Sequence, residues 1–229
     1  MTSFRLLVHV VAFTAYLYTV YFDFGLIPVD HLPVKGTRLS KFVWLTMVDL
    51  YVQLAYNFWG IFAALGFAGC FKSFHYLARA IVQPIGMTVA ILFWALYLFD
   101  PHTLVEDNEV AKRILGIVWF NHCLHTLPAV TTVLDELAWN HGQPSRKSAL
   151  TGIFIFSTLY IIDIHLVHHY SGFWAYPILG MLSPPLRAIF ILVCMFVIYL
   201  SFSAFSVLHG LVHGHHHHTQ EKKKGKKSN

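Results

Sequence analysis

Thr46, Asp49, Gln53 and Asn57 fall three, four and four residues apart inside an apolar stretch, so a helix would carry all four on one face. Such a face either bonds to neighbouring helices or serves a site within a bundle. A second string, Asn121-His122-Cys123-Leu124-His125-Thr126, places His125 one turn from both Asn121 and His122. Pro128 follows, and a helix should kink there because proline has no N–H and clashes with the carbonyl of Leu124. Further histidines lie at His165, His168 and His169, at His209 and His213, and in the run His215 to His218.

Two chemistries fit these residue types. A hydroxyl is a weak nucleophile at neutral pH and needs an adjacent base, usually an imidazole, to take its proton. Thr46 offers the hydroxyl and His125 the base. Asp49 or Asn121, each one turn from a partner, would orient the imidazole or an attacking water, and His122 would support the pocket. No G-x-S-x-G elbow is present, so a serine hydrolase of the α/β fold is excluded. Composition and spacing do not by themselves select Thr46 over another buried threonine. The other chemistry is oxidation at a metal. His122-x-x-His125, His165-x-x-His168-His169 and His209-x-x-x-His213 look like the histidine boxes of membrane desaturases and hydroxylases, which hold iron through imidazole. In span order, however, the first pair lies deep in the membrane and the second near the opposite face, so no metal and no cofactor is expected. A third reading has no enzyme in it: the polar seam holds a signalling, channel-like or scaffold protein together.

Four stretches carry a family resemblance: Leu45-Thr46-Met-Val-Asp49-Leu-Tyr-Val-Gln53, Val118-Trp119-Phe-Asn121-His122-Cys-Leu-His125-Thr126, Pro144-Ser-Arg-Lys-Ser-Ala-Leu-Thr151, and Val167-His168-His169-Tyr-Ser-Gly-Phe-Trp174-Ala-Tyr176-Pro177. Together they resemble the androgen-induced family of six-span membrane threonine hydrolases, the group containing the androgen-dependent TFPI-regulating protein. That resemblance implies an α-helical bundle around a lipid pocket and the hydrolysis of fatty acid esters of hydroxy fatty acids. It implies Thr46 as the nucleophile and His125 as the essential histidine. The chain departs from the family pattern at Arg79-Ala80, at Gln83-Pro84, in the loop Asp100-Pro101-His102-Thr103, and at Asp163 and His165.

The elements that must position these residues follow from composition. Of 229 residues 56% are hydrophobic and only 12% charged, against roughly 25% charged in soluble domains. A soluble domain of this length could not bury so much Phe, Leu and Ile, so the excess belongs against lipid. The expected fold class is all-α, a polytopic membrane bundle with six transmembrane helices near residues 4–22, 42–71, 79–99, 113–138, 149–169 and 186–208, each near the 20 or so residues a bilayer requires. One domain, 1–208, is followed by a His- and Lys-rich cytosolic tail, 209–229. Five of the sixteen Lys and Arg residues lie in that tail, and a basic segment beside a span is drawn to anionic lipid headgroups, not to nucleic acid. The tail also tips the positive-inside balance, placing both termini in the cytosol. The ending Lys226-Lys227-Ser228-Asn229 resembles a dilysine retrieval signal, which adds the endoplasmic reticulum to that placement. The lipid substrate would enter sideways from the bilayer, and its free carboxylate would seek Arg38 or Lys41, the cations near Thr46. Cys70, Cys123 and Cys194 sit in apolar segments and form no disulfide framework.

Overall fold

A computed structural model describes residues 2–26, 32–67, 71–105 and 109–214. Cys70, the His215–His218 run and the lysine tail lie outside the described residues, as do the dilysine ending and the cytosolic role given to it. The described residues are helical, with no strand among them. In chain order the helices are α1 (Thr2–Leu26), α2 (Leu45–Ala64), α3 (Phe71–Leu77), α4 (Gln83–Phe99), α5 (Glu109–Leu115), α6 (Val118–His125), α7 (Leu127–Ala138), α8 (Arg146–Ser171), α9 (Pro177–Met181) and α10 (Pro184–His213).

Four stretches are long and apolar enough to cross a membrane: Thr2–Leu26, the continuous run Phe71–Phe99, Arg146–Ser171 and Pro184–His213. Their outward faces carry exposed Leu7, Val11, Tyr21, Phe154, Leu159, Leu192 and Phe196, side chains suited to lipid. The chain is therefore a helical membrane protein. The other two expected spans are different in kind. Helix α2 is unbroken, but the polar residues Asp49, Gln53 and Asn57 interrupt its apolar run, and the fourth expected span is divided into α5, α6 and α7. The expected tail boundary at 208 falls inside α10, which continues to His213 because its apolar face is unbroken to that point.

Proline and polar side chains account for the departures from straight helices. Between α3 and α4 the run Ala78–Val82 is a π-helical turn. It lies just before Pro84, which cannot donate to the preceding turn, and a π turn absorbs the mismatch. A carbonyl of this turn is satisfied from outside: Gln53 of α2 donates through Nε2 to Val82 O at 3.3 Å. Gln53 Nε2 also donates to Asp49 Oδ1 at 3.2 Å, and Asn57 Oδ1 meets His9 Nδ1 at 3.0 Å. Three of the four residues on the α2 polar face thus form an interhelical seam, leaving Thr46.

A charged network closes the end of the bundle remote from Thr46. Arg79, one of the departures from the family pattern, is buried. Its Nη1 donates to Glu136 Oε2 at 3.0 Å and to the Phe205 carbonyl at 3.1 Å, and its Nη2 donates to Gln143 Oε1 at 3.0 Å. Gln83 Nε2 donates to the same Glu136 oxygen at 2.8 Å. Beside this network Trp139 Nε1 donates to His9 Nε2 at 2.9 Å. Indole is only a donor, so His9 is the neutral tautomer, and its approach to Asp135 Oδ1 at 3.6 Å is no ion pair. Asp135 Oδ1 accordingly has no partner, while Oδ2 takes bonds from Tyr56 and His141.

Candidate active site at the head of α2

Thr46 occupies the first turn of α2. A 3₁₀ turn, Arg38–Val43, delivers the chain to Trp44, whose extended backbone starts the helix without a side-chain cap. A helix leaves its first four amides without intrahelical acceptors, and here three of the four have partners among the described residues. Met47 and Val48 donate to the Trp44 carbonyl at 2.9 and 3.2 Å, and Leu45 donates to the Tyr176 hydroxyl at 3.1 Å. The Thr46 amide is the one left over.

His125 is the last residue of α6. It arrives there because α6 begins at Val118, after Asn121 Nδ2 bonds the free carbonyl at the end of α5, Leu115 O, at 2.5 Å. Starting the helix at 118 instead of 113 brings His125 about five residues, roughly 8 Å, nearer the end at which Thr46 sits. The helix breaks at Thr126, ahead of Pro128 as expected. Trp94 Nε1 and His122 Nδ1 both reach the Thr126 hydroxyl, at 3.1 and 3.0 Å.

The imidazole of His125 is buried and oriented. Nδ1 lies 3.0 Å from the backbone carbonyl of Asn121, and a carbonyl can only accept. In the neutral ring Nδ1 therefore carries the proton and Nε2 the lone pair, the state a general base requires. Nε2 has no hydrogen-bond partner among the described residues. Phe93 stacks on the ring face, centroids 3.4 Å apart and planes 3° from parallel, which leaves the Nε2 edge clear.

Thr46 and His125 line the same cavity of about 470 Å³, together with Asp23, Lys41, Asn121, Trp44, Trp174 and Tyr176. A second, almost wholly apolar cavity of about 110 Å³ runs among α4, α8 and α10. Thr46, Phe93, Leu104 and Tyr176 border both, so Thr46 stands where the two meet. The larger volume is in the range of small-molecule sites.

The other expected residues divide. Asn121 lines the cavity, but it orients His125 through its backbone, not its side chain. Asp49 is wholly buried in the α2 seam and lines neither cavity, with Oδ2 unbonded. One turn along the helix carries it past the cavity floor. His122 is exposed, its ring beside Trp94 with centroids 5.3 Å apart, and it lines neither cavity. Lys41 lines the larger cavity, where its ammonium is 2.7 Å from Asp23 Oδ2. Arg38 does not. Its guanidinium bonds the Phe24 carbonyl at 3.1 Å and sits over the Phe24 ring.

The histidine pairs stay apart. His168 stacks on Trp174 at 3.7 Å, and His165 bonds the Ile161 carbonyl on its own helix. His209 and His213 lie at the remote end beside Glu136. Among the described residues, the group of three ligand-type side chains with atoms within 4.8 Å of one another is Glu136, His209 and His213, which draws on the third pair alone. Tyr176 is the site residue that sequence reasoning missed as such. In the sequence it appears only as part of the string that carries the family resemblance, and nothing in its spacing ties it to Thr46.

Comparison with known proteins adds an independent line. The family model described as FAR-17a/AIG1-like protein matches residues 4–210. The human androgen-induced gene 1 protein is 33% identical over 115 residues, covering 50% of this chain and 47% of that protein. The human androgen-dependent TFPI-regulating protein is 32% identical over 107 residues, 47% of this chain and 45% of its own length. A UPF0641 membrane protein of Schizosaccharomyces pombe is 27% identical over 183 residues, 79% of this chain and 78% of that protein. The chain thus spans about half the length of the human relatives it matches and more than three quarters of the yeast one. No solved structure matches. With a helical membrane bundle and a family match running nearly end to end, the chain belongs to the FAR-17a/AIG1-like family.

Proposed function

We propose that the chain is an integral membrane lipid esterase that hydrolyses fatty acid esters of hydroxy fatty acids, with Thr46 as nucleophile and His125 as base. The observation that carries this reading is the state of His125: Nδ1 is tied to the Asn121 carbonyl, and Nε2 is unpartnered at the wall of a cavity that Thr46 also lines. His9, by contrast, has both nitrogens engaged, one with Asn57 and one with Trp139.

The steps follow from these atoms. The Thr46 Oγ1 lone pair attacks the ester carbonyl carbon as His125 Nε2 takes the hydroxyl proton. The carbon–oxygen π pair moves onto the carbonyl oxygen. When that pair returns, the bond to the leaving oxygen breaks, and His125 gives its proton to the released hydroxy fatty acid. Water, deprotonated by the same nitrogen, then attacks the acyl carbon; the bond to Thr46 Oγ1 breaks, His125 returns the proton to that oxygen, and the fatty acid is released. The substrate has two hydrocarbon chains diverging near one ester, and two cavities diverge from Thr46. Of the two candidate cations only Lys41 faces the larger cavity, so the substrate's carboxylate would approach the Asp23–Lys41 pair. The bundle would cross the membrane six times, counting α2 and the α6–α7 pair, with both termini cytosolic and residence in the endoplasmic reticulum.

Labelling with a fluorophosphonate probe tests the reading. Wild-type protein should be labelled and should hydrolyse the ester, while Thr46→Ala and His125→Ala should each lose both. The double variant should be little worse than either, because residues acting as a unit are not additive. A folded Thr46→Ala protein that hydrolyses at the wild-type rate would overturn the proposal.

A further inference from the structure

Attack on an ester carbonyl places negative charge on the former carbonyl oxygen, and a fixed donor at that position is worth more to the rate than most other contacts. The side-chain donors near Thr46 are mostly committed elsewhere. Asn121 Nδ2 places one of its two protons on the Leu115 carbonyl, and the Lys41 ammonium bonds both the carboxylate and the carbonyl of Asp23. Tyr160 donates its hydroxyl proton to the Val43 carbonyl at 2.9 Å. Tyr176 differs. Its oxygen accepts from the Leu45 amide at 3.1 Å, and Thr46 and Tyr160 line the apolar cavity beside it. Since Tyr160 has already placed its proton, the phenol proton still free to turn beside Thr46 is that of Tyr176.

Resting on the esterase reading above, we infer that the Tyr176 hydroxyl is the oxyanion donor of this site, assisted by the unbonded amide of Thr46. In the resting protein the Tyr176 proton points toward a neighbouring hydroxyl. As the Thr46 oxygen bonds to the carbonyl carbon, that proton turns to the carbonyl oxygen, which gains the π pair. The proton stays on Tyr176 and hydrogen-bonds the oxyanion until the pair returns. The Leu45 amide, donating to the phenol oxygen throughout, polarises the O–H and fixes the ring. The Thr46 amide adds a second donor from the same helical turn as the nucleophile, directed along the positive end of α2. Tyr176 is held by the fold for this: Pro177 begins α9 directly after it, and Ala175 and Leu179 are buried against Val43 and Ile164.

The test is Tyr176→Phe in the full-length protein, assayed on a fatty acid ester of a hydroxy fatty acid. Three quantities are compared: kcat, the Ki of an ether analogue lacking the carbonyl, and the Ki of a trifluoromethyl ketone that Thr46 converts to an anionic hemiketal. Loss of one oxyanion donor should lower kcat by roughly 100- to 1000-fold and weaken the ketone in parallel. The ether, which bears no oxyanion, should bind within about threefold of wild type. Wild-type kcat, or an ether Ki that worsens as much as kcat, overturns the assignment. Should Tyr176→Phe not fold, 3-fluorotyrosine at 176 replaces it: kcat must move while the ether Ki holds, and an unmoved kcat overturns the assignment. A wild-type protein unlabelled at Thr46 brings down the esterase reading and this inference together. A labelled wild type whose Tyr176→Phe variant keeps its kcat brings down the inference alone.

Discussion

His122 and His125 lie within one turn of each other, yet only His125 faces the cavity. His122→Ala should therefore keep the ester-hydrolysing rate within a few-fold, while His125→Ala loses it. Comparing the two initial rates in the same detergent checks this. Asn121→Ala is expected to fall between them. The carbonyl that orients His125 survives the substitution, but the Leu115 carbonyl loses its donor. An unsatisfied carbonyl of this kind costs about 1–3 kcal/mol, so the variant should melt lower while its residual activity still depends on His125. In the sequence, Thr46 and His125 are singled out by the family resemblance of their strings, not by spacing alone. Tyr176 is not, because what makes it a site residue is a bond to a backbone amide 131 positions away. Asp49 misled for a related reason. A shared helical face says which residues point the same way, not how far along the axis a cavity extends.

At the level of helices, close approach is set by glycine and by proline. A Cβ on Gly60 would run into the ring of His9, so α1 and α2 meet over a bare backbone at this point. Gly60→Ala should push the His9 ring off Asn57 and Trp139 and lower the melting temperature. Gly142→Ala, where a Cβ meets nothing within 4 Å, is the matched control. The three clean apolar spans near 149–169, 186–208 and 4–22 were legible because lipid-facing residues leave an unbroken hydropathy signal. The fourth expected span was not. Its breaks at Gly116-Ile117 and at Thr126 are held by side-chain bonds from Asn121 and Trp94, and a hydropathy window averages over such bonds. Those breaks are also what set His125 near the level of Thr46.

For the whole molecule, the bundle is tied at one end by Arg79 and Glu136 and works at the other. Removing one partner of a buried pair strands the second charge and costs about 3–5 kcal/mol. Arg79→Leu or Glu136→Leu alone should thus give little monodisperse protein, whereas the double replacement should recover part of the yield, read by size exclusion. Orientation can be settled with glycosylation acceptors: one near Thr37 should be modified, and one in the 144–148 loop should not. The burial of Arg79 bears on that expectation, since a residue neutralised by Glu136 no longer weighs in a count of loop charges. The position of Tyr176 has a consequence of another sort, in the timing of synthesis. The ribosome delivers Thr46 early, His125 near mid-chain, and Tyr176 only after α8 has been inserted. On the proposed mechanism, a nascent chain already carrying Thr46 and His125 would still lack the phenol of Tyr176. Threaded in this order, the site would stay nearly inert toward the surrounding lipids until the fold is almost complete.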